Sequence, residues 1–322
     1  MDKQRQFLGQ ATWFVLAVNV AVVLWGAYVR ASGSGAGCGD HWPLCNGLVV
    51  PVAPESGTVI ELAHRVTSAM AVVLVLAVAA FSTRTFPRGH RVRSVAFVSV
   101  ASIIVEALIG AVIVLASFTG NNTSSVRALV VALHLLNTLV LIGALTLTAW
   151  WAGGAPMVRW REHPASAALF IGGALGYALL GSSGAITALG DTLFPSSTLA
   201  QGMQLDLAVA VNLLIRLRVL HPMFATFMGV FAIAMAIQLS RKHGSAMAQK
   251  LVGLHSALFF TQCAIGLLNL LWLAPIPLQL LHLLCANLVW IAYVLLASCA
   301  LSQPAVIRTP DVILRRPAAT CQ

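Results

Sequence analysis

Charge is what this sequence has least of. Only 9% of its 322 residues are charged while 59% are hydrophobic, and the mean hydropathy is +0.90. A soluble domain carries roughly a quarter charged residues on its surface, so a water-facing exterior cannot be assembled from this composition. What the sequence has instead is a series of apolar stretches, each about 20 residues or longer, enough to cross the hydrocarbon layer of a bilayer as a helix. They fall at residues 11–31, 58–82, 94–118, 126–151, 166–188, 213–239, 247–273 and 277–301. The expected fold class is therefore an all-α polytopic membrane protein of eight transmembrane helices. The first stretch is too long for a cleavable leader and runs into a Gly-rich loop without a clear cleavage site, so it is read as a retained helix.

Charge placement predicts orientation. Of the 19 Lys and Arg, 14 lie at the N-terminus, at the C-terminus or in alternate connections; Arg30, Arg65, Arg127, Arg216 and Arg218 lie at the opposite helix ends. The positive-inside rule then puts both termini in the cytoplasm, which an even number of spans satisfies. The net charge of +10 is accounted for by topology, and a nucleic-acid partner is unnecessary.

The chain repeats itself weakly. Glu106-Ala-Leu-Ile-Gly110 in the third span answers Gln262-Cys-Ala-Ile-Gly266 in the seventh, and Leu133-His134-Leu135-Leu136 in the fourth answers Leu281-His282-Leu283-Leu284 in the eighth. A looser echo links Gly33-Ser-Gly after the first span with Ser183-Gly184 in the fifth. The expected organisation is an N-terminal four-helix bundle (1–152), a cytoplasmic linker (153–165), a C-terminal four-helix bundle (166–303) and a cytoplasmic tail (304–322), the halves related by an axis along the membrane normal. The outer connections, 32–57 and 189–212, are the long ones, and the second includes an amphipathic stretch from Thr198 to Asp206 suited to lying on the bilayer surface.

Nine histidines are present. His90, His163 and His243 sit beside Arg or Lys in cytoplasmic connections and read as solvated; His41, in an outer loop, and His255 carry no cofactor signal. His64, His134, His221 and His282 are different. One occupies each even-numbered span, roughly 8–15 Å below the outer surface at about 1.5 Å per residue. A single intramembrane histidine can simply bond a neighbouring helix, but four at one depth, two per repeat, suit paired axial ligation of heme iron. Zinc fits less well, because each half supplies two histidines and no intramembrane Asp or Cys cluster.

The halves differ in chemistry. Glu61 precedes His64 by one turn, where a carboxylate could take protons or stabilise positive charge; Arg65 is its simpler partner. Arg218 occupies the corresponding place before His221, and with Arg216 it suits a heme propionate. Cys38 and Cys45, in an outer loop with Gly39 and Pro43 to allow a tight turn, suit a short disulfide, with metal binding the competing reading. Cys263, Cys285 and Cys299 lie in helices and read as inert small hydrophobes. Glu106, with neutral Gln262 as its repeat counterpart, reads as structural.

The run Arg30-Ala-Ser-Gly-Ser-Gly-Ala-Gly-Cys38-Gly-Asp-His-Trp-Pro-Leu-Cys45-Asn-Gly47, followed by Glu61-Leu-Ala-His64-Arg65, resembles heme A synthase of the bacterial type, and the resemblance extends across the eight spans. It implies a cytochrome oxidase assembly enzyme of a bacterial plasma membrane that oxidises a ring methyl of heme O to the formyl group of heme A. It further implies heme b held by His221 and His282 in the C-terminal half, substrate heme O near His64 and His134 with Glu61 required for chemistry, and a disulfide between Cys38 and Cys45. Heme O synthase and the terminal oxidase are the partners implied by the pathway, with an external electron donor. Some members carry a second cysteine pair between the fifth and sixth spans; this chain lacks it, so a mechanism needing both pairs cannot apply. The alternatives are a diheme b-type cytochrome taking electrons from quinol, and a transporter using the histidines and Glu61 as a proton path.

Overall fold

The computed structural model describes residues 3–207, 213–242 and 245–302. Among them, eight helices are long and apolar enough to cross a membrane: α1 (Lys3–Ala31), α2 (Ser56–Thr85), α3 (Arg91–Leu115), α4 (Ser125–Ala152), α5 (Pro164–Leu193), α8 (Leu220–Lys242), α9 (Ala246–Leu271) and α10 (Ile276–Ser302). Two short helices, α6 (Leu199–Leu207) and α7 (Leu213–Arg218), fill the connection between α5 and α8. This is an all-α membrane protein. Helices are the form these apolar runs must take, because hydrocarbon offers backbone amides and carbonyls no partner outside the segment itself.

Local signals set where the helices start. Ser124 accepts a bond from the Arg127 amide at 3.3 Å and Ser245 one from Ala248 at 3.1 Å, each satisfying an otherwise orphaned donor of a first turn. His90 does the same for α3, accepting from Val92, and stacks on Phe86; it caps a helix where the sequence suggested only a solvated side chain. Pro164 opens α5, where its missing N–H costs nothing.

The sixth apolar stretch, expected as one helix over 213–239, is broken. Helix α7 ends at Arg218 and α8 begins at Leu220. Pro222 supplies the reason: it has no N–H to give the carbonyl of residue 218, and its ring crowds that carbonyl. The 198–206 stretch forms α6, as its pattern predicts.

Two apolar clusters fill the interior, one from α1–α4 around Leu16, Val75, Ile142 and Leu145, the other from α5 and α8–α10 around Met235, Phe259, Tyr293 and Leu296. They meet at Trp150, Val158, Trp290 and Ile291. Helices α1 and α4 of the first half face α5 and α10 of the second. Trp290 donates to the Leu139 carbonyl at 2.8 Å and Trp151 to the Ser298 hydroxyl at 3.0 Å, both across this seam. At the other end of α1, Arg30 reaches over to the Ala188 carbonyl and Thr192 hydroxyl of α5, both at 2.5 Å, and to the Gln279 amide oxygen of α10 at 3.1 Å. Large apolar side chains such as Phe14, Val73, Leu175 and Phe227 stand exposed on the outside. In water such a surface would aggregate; against lipid it is the expected exterior.

Candidate functional site

The repeat is visible in matched hydrogen bonds. In the first half, Asn137 of α4 donates to the Ser102 carbonyl of α3 at 2.8 Å; at the equivalent place in the second, Cys285 of α10 donates to the Leu258 carbonyl of α9 at 3.5 Å. The matched pairs pin α3 to α4 and α9 to α10 in one register, and so bring His134 and His282 to corresponding positions.

Each of three histidines packs against a glycine on the preceding spanning helix. A Cβ placed on Gly26 of α1 would come within 2.9 Å of the His64 ring; on Gly184 of α5, within 2.9 Å of His221; on Gly266 of α9, within 3.0 Å of His282. No side chain larger than hydrogen fits these places without moving an imidazole. The Ser183-Gly184 motif therefore answers Gly26, and its likeness to Gly33-Ser-Gly was misplaced: Gly33 stands in a turn at φ +73° with open space about it. Gly110, the fourth glycine of the set, has open space beside it, because His134 turns to Glu106 instead, its Nδ1 2.6 Å from Oε2.

In the second half the rings of His221 and His282 face each other with centres 6.3 Å apart and planes at 85°. Two imidazoles binding one metal ion from opposite sides at about 2 Å per metal–nitrogen bond place their ring centres about 6 Å apart. Ser183 lies 3.1 Å from His221 Nδ1, leaving Nε2 of that ring for a ligand. The buried Nδ1 atoms of His64, His134 and His282 make no hydrogen bond among the described residues, while Nε2 of His282 lies 3.1 Å from the Gln262 amide nitrogen. Buried polar atoms are rarely left so. The ring spacing, the glycine recesses and these unpaired nitrogens fit an iron porphyrin held between helices.

Glu61 is not free. Its Oε1 meets Arg65 Nη2 at 2.5 Å, and its Oε2 accepts the Cys38 amide at 2.8 Å. Arg65 in turn donates to the carbonyls of His41 and Leu44, both at 2.7 Å. One carboxylate and one guanidinium thus tie the loop between α1 and α2 to the helix that carries His64. Cys38 and Cys45 form a disulfide, fully buried in that loop. Gly37 closes the loop onto α2: a Cβ there would lie 2.5 Å from the Gly57 carbonyl oxygen. Even alanine could not occupy it without displacing backbone.

The remaining arginines also have defined tasks. Arg218, buried on α7, pairs with Asp191 at 3.0 Å, and Arg127 donates to the Gly120 and Asn122 carbonyls of the α3–α4 turn at 2.8 and 2.7 Å. The Arg216 side chain, named with Arg218 from sequence, lies outside the described residues. His255, set aside from sequence, is buried and bonds the Tyr177 hydroxyl at 2.7 Å, in an aromatic cluster with Phe259 and Tyr293. Among the described residues, no three His, Cys, Asp or Glu side chains gather as a metal-ion cluster.

Residues 10–294 match the COX15-CtaA family, described as cytochrome oxidase assembly protein. The chain belongs to this family. A Thermus thermophilus protein named protoheme IX farnesyltransferase is 44% identical over 294 residues, covering 91% of this chain and 48% of that relative. A heme A synthase of Shouchella clausii is 42% identical over 90 residues (28% of this chain, 30% of the relative), and one of Bacillus mycoides 40% over 92 residues (29% and 30%). The chain spans about half the length of the curated relatives it matches along most of its own. Membership of an oxidase assembly family bears out the resemblance read from the Cys38–Cys45 loop and does not favour the electron-carrying cytochrome.

Proposed function

We propose that this protein is a heme A synthase, oxidising a ring methyl of heme O to the formyl group of heme A. The observation that carries the reading is the facing pair of imidazoles, His221 and His282, with His64 and His134 as their repeat counterparts, in a chain of the oxidase assembly family. Similarity to proteins named heme A synthase supports it.

The N-terminal half is the proposed reaction site, with His64 and His134 taking the iron of substrate heme O and the farnesyl tail left among the lipid. The C-terminal half is the proposed seat of a resident heme b, through His221 and His282, with Arg216 and Arg218 near its propionates. When bound, that heme supplies one-electron exchange with a donor outside the membrane. The glycine recesses let the imidazoles of His64, His221 and His282 lie against their neighbouring helices, so the ring position is set before the porphyrin arrives; this limits the ordering cost of binding. Glu61, held by Arg65 and the Cys38 amide, is placed one turn above His64 to accept a proton as the methyl is hydroxylated twice, first to alcohol and then to hydrated aldehyde. Each step consumes one dioxygen with two electrons from the outside donor and two protons and releases water; the hydrate then loses water. Its two hydrogen-bonding partners keep the carboxylate aimed, and the disulfide keeps the donating amide of Cys38 in place. On this reading the sites face the outer side of a bacterial plasma membrane, with both termini cytoplasmic.

The relative named protoheme IX farnesyltransferase supports a place directly after heme farnesylation. Its match is with about half of its length, and prenyl-diphosphate chemistry would need carboxylates to hold magnesium. This chain has nine Asp and Glu in all, and only Glu61, Glu106 and Asp191 lie in its spanning helices. On this reading farnesyl transfer is the task of the part of that relative that this chain does not match. Heme O synthase and the terminal oxidase are the proposed neighbours before and after this step. Supplying heme O, a reductant and dioxygen to the purified protein and identifying the hemes extracted afterwards tests the proposal: heme A or its alcohol precursor is expected, and unchanged heme O would refute it.

A further inference from the structure

Glu106 has no part in the reaction as outlined, yet it sits against one of the four histidines. It lies near the middle of α3, with Oε2 2.6 Å from His134 Nδ1 and Oε1 accepting the Thr138 hydroxyl at 2.9 Å. Thr138, one turn along α4, also bonds back to the His134 carbonyl at 3.0 Å, so carboxylate, hydroxyl and imidazole form one unit. The two atoms are in ion-pair contact without meeting hydrogen-bond geometry, and there is open space beside Gly110 on the same helix.

The second half is built otherwise at each of these points. Gln262 replaces Glu106 and approaches His282 through its amide nitrogen, 3.1 Å from Nε2, and the place of Thr138 is taken by Ala286. The remaining ring support in that half, Ser183 on His221 Nδ1, is a neutral hydroxyl. Among the described residues a carboxylate thus backs an imidazole in one half only, and it is the half assigned to substrate.

We propose that Glu106 is a positioning residue for the substrate heme. Holding the Nδ1 side of His134, it presents Nε2 to the iron and lends the ring anionic character. A carboxylate behind a ligating imidazole strengthens it as a donor and favours the ferric iron over the ferrous, which lowers the reduction potential. The substrate iron is thereby held with a more basic ligand than the resident heme receives. This inference rests on the reading of His134 as a substrate-heme ligand.

The test is a redox titration of heme O-loaded protein under argon, with low-temperature electron paramagnetic resonance of the ferric state. Glu106→Gln is expected to keep both hemes, raise the midpoint of the N-terminal heme and change its ferric signal, while the C-terminal heme stays as in wild type. Thr138→Val, which only loosens the carboxylate, is expected to move the same midpoint in the same direction and less far. A Glu106→Gln protein that loads normally and matches wild type in both readouts overturns the proposal. Should that variant not load, Thr138→Val decides: a raised midpoint supports the proposal and an unchanged one overturns it. Loss of the N-terminal heme from both variants, with the C-terminal heme retained, assigns Glu106 a packing role and also overturns it. His134→Ala is the separate control: if the N-terminal heme signal is unchanged there, it is the ligand assignment that has failed.

Discussion

Glu61 and Arg65 form an ion pair at 2.5 Å, four residues apart on α2, and both are nearly removed from solvent. Through it the α1–α2 loop, the disulfide and the helix bearing His64 become one unit, since Glu61 also takes the Cys38 amide and Arg65 the carbonyls of His41 and Leu44.

Breaking that pair from either side should have unequal effects. Arg65→Ala leaves a buried carboxylate with only the Cys38 amide and removes the loop's anchor, costing about 3–5 kcal/mol, the scale for stripping one partner from a buried pair. Glu61→Gln keeps a group of the same shape and should cost about 1–2 kcal/mol. Thermal unfolding in detergent measures both. On the proposed chemistry Glu61→Gln should nevertheless abolish heme A output, so that the milder fold defect accompanies the greater loss of activity.

The disulfide closes a short loop, seven residues apart in sequence. Replacing Cys38 and Cys45 together by serine should lower stability by roughly 2–3 kcal/mol on the chain-entropy scale for a loop of this length. The loss should be confined to the first outer loop. Hydrogen exchange checks this: amides of residues 37–48 should exchange faster, while those of α9 and α10 keep their protection.

The glycine recesses make a paired prediction. Gly26→Val should drive a side chain into His64 and cost heme binding in the N-terminal half alone, and Gly184→Val should do the same to His221 in the C-terminal half alone. Heme-to-protein ratio and spectrum, taken for each variant, should each report loss of one heme and retention of the other. Loss of both hemes from either variant would show that the halves do not bind independently.

Arg30 fastens α1 to α5 and α10, joining the two halves at the C-terminal end of α1 as Trp290 and Trp151 do along the seam. Arg30→Met keeps the stem and removes three hydrogen bonds from a charged donor, an expected loss of about 3 kcal/mol or more at about 1.5–3 kcal/mol each, less what water recovers. Unfolding followed separately by the heme of each half should become less cooperative than in wild type.

The spanning helices were legible in the sequence because their length is fixed by the bilayer, and the four histidines because they recur once in each even-numbered span. The Cys38–Cys45 loop was legible as a motif. Other features depend on how helices are rotated against one another, which no single segment records. Among 25 glycines, nothing marked Gly26, Gly184 and Gly266 as those facing an imidazole. Arg30 read only as one of five cations at helix ends, yet its partners are 158 to 249 residues away. Pro222 was visible beside His221, but the break it causes at Val219 was absorbed into one long apolar run. Glu106 read as structural because its counterpart is Gln262; its closeness to His134 follows from the pairing of α3 with α4.

The central claim is that the N-terminal histidine pair holds a heme that is changed, while the C-terminal pair holds one that is not. The most direct test is to supply heme O, reductant and dioxygen to purified wild-type protein and to His64→Ala and His282→Ala variants, then separate the extracted hemes by chromatography and identify them by mass. The account predicts heme B plus heme A or its alcohol precursor from wild type, heme B without either product from His64→Ala, and loss of heme B from His282→Ala. Heme B alone from wild type, with heme O returned unaltered, would contradict it.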